Sequence, residues 1–519
     1  MPLLKPYIPF AVAACLAPLV LGPFTVITAP DDDVLPCELE IILPPQVGWV
    51  TDLAVSANDD IILAGVTSDA DFPTTPDAAD RKCGDRFGCW SDGDDGFVMI
   101  LSAAGEVLYS TFVGGDGEDH RTLVAPSPDG SIWVLLANTR FDLWNSSVPL
   151  CNGRQPVLMR IKPGSPVFHD LTCIGGPSAD ATVTDMEVGS DGTLWLFGEA
   201  RAMQAVNAWQ PVPADSQDLF VARYVPGREE PLFATFIGGR HSEWAGTMAL
   251  TADGDAVLTG VTYSPDFPAV RPRPDLLHDE GSAPGWRSNA VIARVDSSGR
   301  WLEYSLEYGG SHWDSGASVA VDKAGNAFVA GYTGSADFPV IGTTVDPPRQ
   351  VGESDATLVS VDPVGQPRFS ARFGGGGWDM STDVFARPDG SLMVFGYTNS
   401  PEFGDPAEPP PSPSFSQLFV RTTDSLCTTL RCLPRRLLSP TRHSSLNVVV
   451  QKGAHLYLAG DASDRDPAGR GLTYRGHYLK RWHVGRAAGE GHAPHEGNAP
   501  KGGQSIGTAG LRVVQRRWQ

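Results

Sequence analysis

Residues 369–398 read FSARFGGGGWDMSTDVFARPDGSLMVFGYT, and recognisable versions of this stretch recur along most of the chain. Its order is an apolar strand ending in Gly374 and Gly375, an acid at Asp379, a second apolar strand, a turn at Asp389 and Gly390, and a third strand closing on Gly396. Glycine in such a turn supplies the positive φ that a tight hairpin needs. Equivalent turns are Asp129 with Gly130, Asp191 with Gly192, Asp253 with Gly254, and Gly325 with Asn326.

The strand-ending glycine pairs are Gly114–Gly115, Gly175–Gly176, Gly238–Gly239, Gly309–Gly310 and Gly374–Gly375. The strand-closing positions are Gly65, Leu136 or Ala137, Gly198, Gly260, Gly331, Gly396 and Gly460, which makes seven units. Their spacing of about 61 to 72 residues suits four short strands and one long loop in a stacked or circular array.

Three units carry a further signature: Phe72-Pro73, Phe267-Pro268 and Phe338-Pro339 follow GVTSDAD, GVTYSPD and GYTGSAD, and YSTFVGG ends at Gly115. Over roughly Gly48 to Gly460 the chain resembles the bacterial SBBP repeat family. That resemblance implies an all-β fold: a seven-bladed β-propeller of four-stranded antiparallel blades, found mainly on exported or surface proteins, without a catalytic motif. The third and sixth units depart from the pattern, since 200–206 lacks the Phe-Pro step and Phe403 precedes Gly404.

Closure is expected from strand counting. Seven first hairpins are visible but only six complete pairs of third and fourth strands lie between them, so the last blade, beginning at Leu446, lacks its outer strand. Cys37 to Leu43 can supply it if Tyr474 to Val484 forms the third strand, which would remove two exposed sheet edges. The expected organisation is therefore 1–30 as signal peptide or membrane anchor, 31–484 as propeller, and 485–519 as a basic, disordered tail.

Composition agrees with export. From Pro6 to Pro30 no residue is charged, which reads as a cleaved signal, a retained anchor or, through Cys15, an acylated segment. A formal charge of −22 over 519 residues argues against nucleic acid and anionic membrane surfaces as partners of the body. Cys83 with Cys89, Cys427 with Cys432, and Cys151 with Cys173 could each form a local disulfide, leaving Cys37 without an evident partner.

Four residues past each second glycine stand Asp119, Asp180, Glu243, Asp314 and Asp379, with Gly48 and His443 in register in the first and last units. These connections lead into the innermost strands and approach the axis from one side. Their neighbours include His120, His241 and His312, with Trp49, Trp244, Trp313 and Trp378. Acid, imidazole and indole in one axial funnel would suit a sugar or a metal; a repeated acid also suits bonding within its own turn.

Weaker patterns lie elsewhere. Asp92, Asp94 and Asp95 resemble an oxygen-rich calcium loop without the closing glutamate, and Asp95 has counterparts in Asp218 and Asp355. No HExxH, GxSxG or phosphate-loop pattern occurs, and neither a cofactor nor a bound metal is expected.

Two functions follow. One is an exported or cell-surface binding or scaffold module, monomeric, displaying loops with Trp90, Trp144, Trp209 and Trp286 to a protein or glycan partner. The other is a carbohydrate-active hydrolase or lyase using two funnel acids with His241 or His312, which requires the carboxyl groups about 5 to 9.5 Å apart.

Overall fold

The hairpin glycines take up the expected geometry. Gly130, Gly192, Gly254, Gly325 and Gly390 have φ between 79° and 87°, each joining the first two strands of a blade. In the first blade Asp59 makes the same turn at φ 65°, and Lys452 of the last blade donates to its Oδ1 at 2.9 Å.

The computed structural model describes residues 12–13, 37–83, 94–114, 121–139, 155–176, 178–214, 216–271, 287–342, 353–387, 389–400, 417–422, 436–437, 443–452, 455–465, 472–483 and 513–514. They form seven antiparallel sheets, six of them four-stranded, numbered here as blades in chain order. The innermost strands are Trp49–Val55, Arg121–Pro126, Asp180–Val188, Glu243–Leu250, Asp314–Val321, Asp379–Ala386 and His443–Lys452. Blade 5 shows the plan in full: Asp314–Val321, Ala327–Thr333, Asp355–Val361 and Pro367–Phe373 run outward in that order. The innermost strands of blades 1 to 6 neighbour one another in turn, that of blade 7 meets Gln417–Thr422 of blade 6, and blade 7 returns to blade 1.

The ring closes as strand counting requires. Cys37–Ile42 pairs antiparallel with Leu472–His483, Ile42 opposite Tyr478 and Cys37 opposite Trp482. Beyond it Val12–Ala13 pairs with Ile41 and Glu40, and on the inner edge Val513–Val514 pairs with Val449 and Val448. Val513–Val514 is thus a short strand inside the stretch expected to be disordered. The rest of that stretch, and all of 1–30 apart from Val12–Ala13, lie outside the described residues.

Hydrophobic cores lie between blades, which explains why strands such as Ile61–Thr67 and Asn289–Val295 are buried along their whole length. One cluster joins Val448, Tyr457 and Leu479 of blade 7 to Leu53, Leu63 and Phe97 of blade 1. Others join blades 1 to 2, 2 to 3, 3 to 4, 4 to 5 and 5 to 6.

The Phe-Pro step belongs to this packing. Phe72, Phe267 and Phe338 are buried, Phe72 lying 4.9 Å from the Phe97 ring and Phe338 lying 5.4 Å from Tyr308. Each such burial contributes about 1.5–3 kcal/mol. The chain then runs back along the outermost strand of its own blade, bridging Val270 to Ser305 and Ile341 to Ser370, and so covers an edge that would otherwise be open.

The strand-closing glycines answer to a bulge. In six blades the innermost strand carries extra residues next to the position that faces the glycine: Val50 pairs with Gly65 and Asp52 with Ala64, and likewise at Gly198, Gly260, Gly331, Gly396 and Gly460. A Cβ at Gly331 would stand 1.9 Å from the Ser315 carbonyl oxygen. Blade 2 pairs Thr122 with Leu136 and Arg121 with Ala137 without a shift between these strands, and needs no glycine there.

The bulge turns a polar side chain toward the next blade. Asp52 Oδ2 accepts from Val124 N–H at 2.7 Å, Asp185 Oδ2 from Met248 N–H at 2.8 Å, Thr247 Oγ1 from Val319 N–H at 2.9 Å, and Ser318 Oγ from Val384 N–H at 3.3 Å. These bonds lace the innermost strands together in a buried belt.

Candidate binding face

The innermost strand begins where the second strand ends, so in blades 4, 5 and 6 the in-register acid meets a threonine: Glu243 pairs with Thr262, Asp314 with Thr333 and Asp379 with Thr398. All three acids are buried. Thr262 Oγ1 donates to Glu243 at 2.8 Å, and Thr333 Oγ1 donates to Asp314. Ser335 and Gly310 N–H each donate to Asp314 at 2.8 Å, while Ser400 and Gly375 N–H each donate to Asp379 at 2.7 Å. The carboxylates therefore face their own turns rather than solvent. Their signal in sequence is the Thr-x-Ser of GVTYSPDFP, GYTGSADFP and GYTNS.

Burial raises Glu243 and Asp314. It lifts Glu243 to about 8 against the bonds from Ser264 and Thr262, with the nearby Asp218 charge adding to the rise. Asp314 is raised for the same first reason. Asp180 differs: it is half exposed and pairs with Arg201 at 3.7 Å.

The backbone of the same turns ties neighbouring blades. Glu243 N–H donates to Gln217 O at 2.7 Å, Asp314 N–H to Ser288 O at 2.9 Å and Asp379 N–H to Ser354 O at 3.0 Å. This places Trp313 and Trp378 at the boundaries of blades 4 with 5 and 5 with 6, where each bridges the preceding blade in parallel.

The indoles are what this face presents. Trp378 stacks on Trp313 with centroids 6.1 Å apart and planes at 23°, and Trp313 meets the Tyr332 ring edge at 5.6 Å. Gly334 makes room, since a Cβ there would reach the Trp313 ring at 2.6 Å. Trp378 is held by a pair of bonds with Asn399: its N–H donates to Asn399 Oδ1 at 2.5 Å, and its carbonyl accepts the Asn399 N–H. Trp378, Trp244 and Trp49 are exposed by 44, 41 and 38%, which leaves their rings available to a ligand.

His241 and His312 are exposed beside the acids, their N–H groups donating to Ser264 Oγ at 2.8 Å and Ser335 Oγ at 2.9 Å. Asp119 and His120 lie outside the described residues, as do Trp90, Trp144 and Trp286. His443 opens the innermost strand of blade 7 opposite Ser463. Trp209, expected on a displayed loop, instead packs on the core between blades 3 and 4. Among the described residues no cluster of three or more His, Cys, Asp or Glu could hold a metal ion.

Seven antiparallel sheets among the described residues, set side by side with the connections into their innermost strands on one face, define a β-propeller. Residues 303–339, from the outermost strand of blade 4 to the Phe-Pro step of blade 5, match the SBBP beta-propeller repeat, so the chain carries that repeat. A comparison with curated proteins returns no match. Among solved structures the chain is similar to a protein of unknown function from Dyadobacter fermentans, at 13% identity and TM-score 0.40, over 70% of this chain and 94% of that one. It is also similar to the Pan2 WD40 domain of Neurospora crassa, at 8% identity and TM-score 0.37, over 85% and 90% of the two chains. The GH93 alpha-L-arabinofuranosidase of Fusarium graminearum matches at 8% identity and TM-score 0.37, over 67% and 88%. At TM-scores this low none of the three informs the chemistry of this chain.

Proposed function

We propose that this propeller is an exported binding module whose loop face takes a glycan on the indoles of Trp244, Trp313 and Trp378, without catalysing its cleavage. The observation that carries the reading is the contrast on one face. Trp244 and Trp378 stand half out of the surface, while the carboxylates beside them are buried in their own turns. A flat apolar ring flanked by Asn399, Ser311 and His312 fits a pyranose, which offers an apolar C–H face and a rim of hydroxyl groups.

Export is supported by the uncharged stretch from Pro6 to Pro30 and by Cys83 and Cys173, each of which is disulfide-bonded. The test is a glycan array probed with the purified chain and with Trp378→Ala. A glycan retained by the parent and lost by the variant supports the reading. Equal retention by both moves the site off this face, and turnover of a bound glycan that Glu243→Gln abolishes would replace a binding role by a hydrolytic one.

A further inference from the structure

In blades 3, 4 and 5 the first glycine of the strand-ending pair sits against two polar side chains, one from the third strand of its own blade and one from the innermost strand of the next. A Cβ on Gly238 would lie 2.6 Å from Asp218 Oδ1 and 2.7 Å from Glu243 Oε2. On Gly374 it would lie 2.3 Å from Asp355 Oδ1 and 2.8 Å from Asp379 Oδ2. On Gly309 the two oxygens are Asn289 Oδ1 at 2.7 Å and Asp314 Oδ2 at 2.5 Å. The same slot thus holds two carboxyls at the boundaries of blades 3 with 4 and 5 with 6, and an amide with a carboxyl between blades 4 and 5.

All six side chains are buried. Two carboxylates in one dry slot repel strongly, whereas a carboxyl and a carboxylate can share a proton. Asn289 is the neutral isostere that removes the conflict.

We propose that the boundaries of blades 3 with 4 and 5 with 6 are each closed by a proton held in a buried carboxyl pair, Asp218 with Glu243 and Asp355 with Asp379. Loss of these protons loosens the two boundaries.

Polar and charged groups surround both pairs. Around the first pair, Gln210 Nε2 and Ala214 N–H each donate to Asp218 Oδ2 at 2.9 Å, Thr262 and Ser264 bond Glu243, and the nearby carboxylate of Glu199 accepts Ala245 N–H. The Arg240–Asp266 ion pair lies on the exposed side. Around the second pair, Arg372 reaches Asp355 at 3.3 Å, and Ser400 and Gly375 bond Asp379. At the middle boundary Asn289 Nδ2 donates to Glu307 at 2.8 Å, beside Arg287.

Burial raises Glu243 to about 8, with Asp218 adding to the rise. It raises Asp355 to about 6, against Arg372 and with Asp379. A raised carboxyl binds more protons folded than unfolded. Its stabilising contribution is complete below the ordinary carboxylate value and is lost as pH rises through the folded one.

The test is the melting temperature of the full chain at about pH 3.5, below the ordinary carboxylate values, and at about pH 8. Asp218→Asn and Asp355→Asn should match the parent at the lower pH and exceed it by about 2 °C or more at the higher. Asn289→Asp should lose stability at the higher pH. Asn variants that fall equally at both pH values, or Asn289→Asp with no pH-dependent loss, overturn the proposal. A second measurement needs no variant to fold: the infrared carboxylic-acid carbonyl band of the native parent near neutral pH. A band from protonated carboxyls is expected, and its absence overturns the proposal.

Discussion

Trp378 of blade 6 lies almost parallel to Trp313 of blade 5, so the indole pair spans a boundary between two blades that backbone bonds from Asp379 to Ser354 also tie. Trp378 is exposed by 44% and adds little to the core. Trp378→Ala should cost about 0.5–1.5 kcal/mol in stability, the scale of a single aromatic contact. Trp195, buried, edge-on to Phe233 at 5.3 Å and covered by Arg223 at 5.0 Å, should cost about 3–5 kcal/mol on replacement by alanine. Denaturant midpoints of the two variants check the difference, and similar losses would mean the exposed indole is structural.

The glycine opposite the bulge is a steric requirement rather than a preference. In Gly331→Ala the new methyl carbon would meet the Ser315 carbonyl oxygen at 1.9 Å, so the strands must separate at a cost of about 3 kcal/mol or more. Blade 2, regular between its first two strands, provides the control. Ala137→Gly there should cost only about 1 kcal/mol. Chemical denaturation of both variants would settle the comparison, and a neutral Gly331→Ala would contradict the bulge geometry.

Asp383 occupies the belt position that Asp52 and Asp185 fill in blades 1 and 3, but it bonds Thr382 Oγ1 at 2.7 Å through Oδ2 while its Oδ1 lacks a partner among the described residues. Burial raises it to about 7. Its contribution to stability is complete below the ordinary carboxylate value and is lost as pH climbs through the folded value. Asp383→Asn should be neutral at about pH 3.5 and stabilising by on the order of 1–3 kcal/mol near pH 8. Melting curves across that range test the sign, and a variant destabilised at both ends would show that the carboxylate is required.

Removing Cys37–Ile42 leaves Leu472–His483 as an open edge at the closure of the ring. The expected outcome is self-association on gel filtration with a lowered melting temperature. A truncated chain that stays monomeric and melts like the parent would show that the closing strand is dispensable.

The repeat, its seven copies, the hairpin turns and the closing strand were all readable from the chain, because periodicity and turn chemistry are local properties that glycine and strand alternation report directly. The acids could be found in register but not assigned, since whether a carboxylate faces solvent depends on a threonine some 20 residues away and on the adjoining blade. The same holds for the glycines at strand ends. Their spacing showed that each mattered, but only the packed sheets reveal the bulge beside Gly331 and the paired carboxyls beside Gly238 and Gly374. Contacts between blades join residues far apart in the chain, and no local pattern encodes which side chains will share a buried slot once the ring has closed.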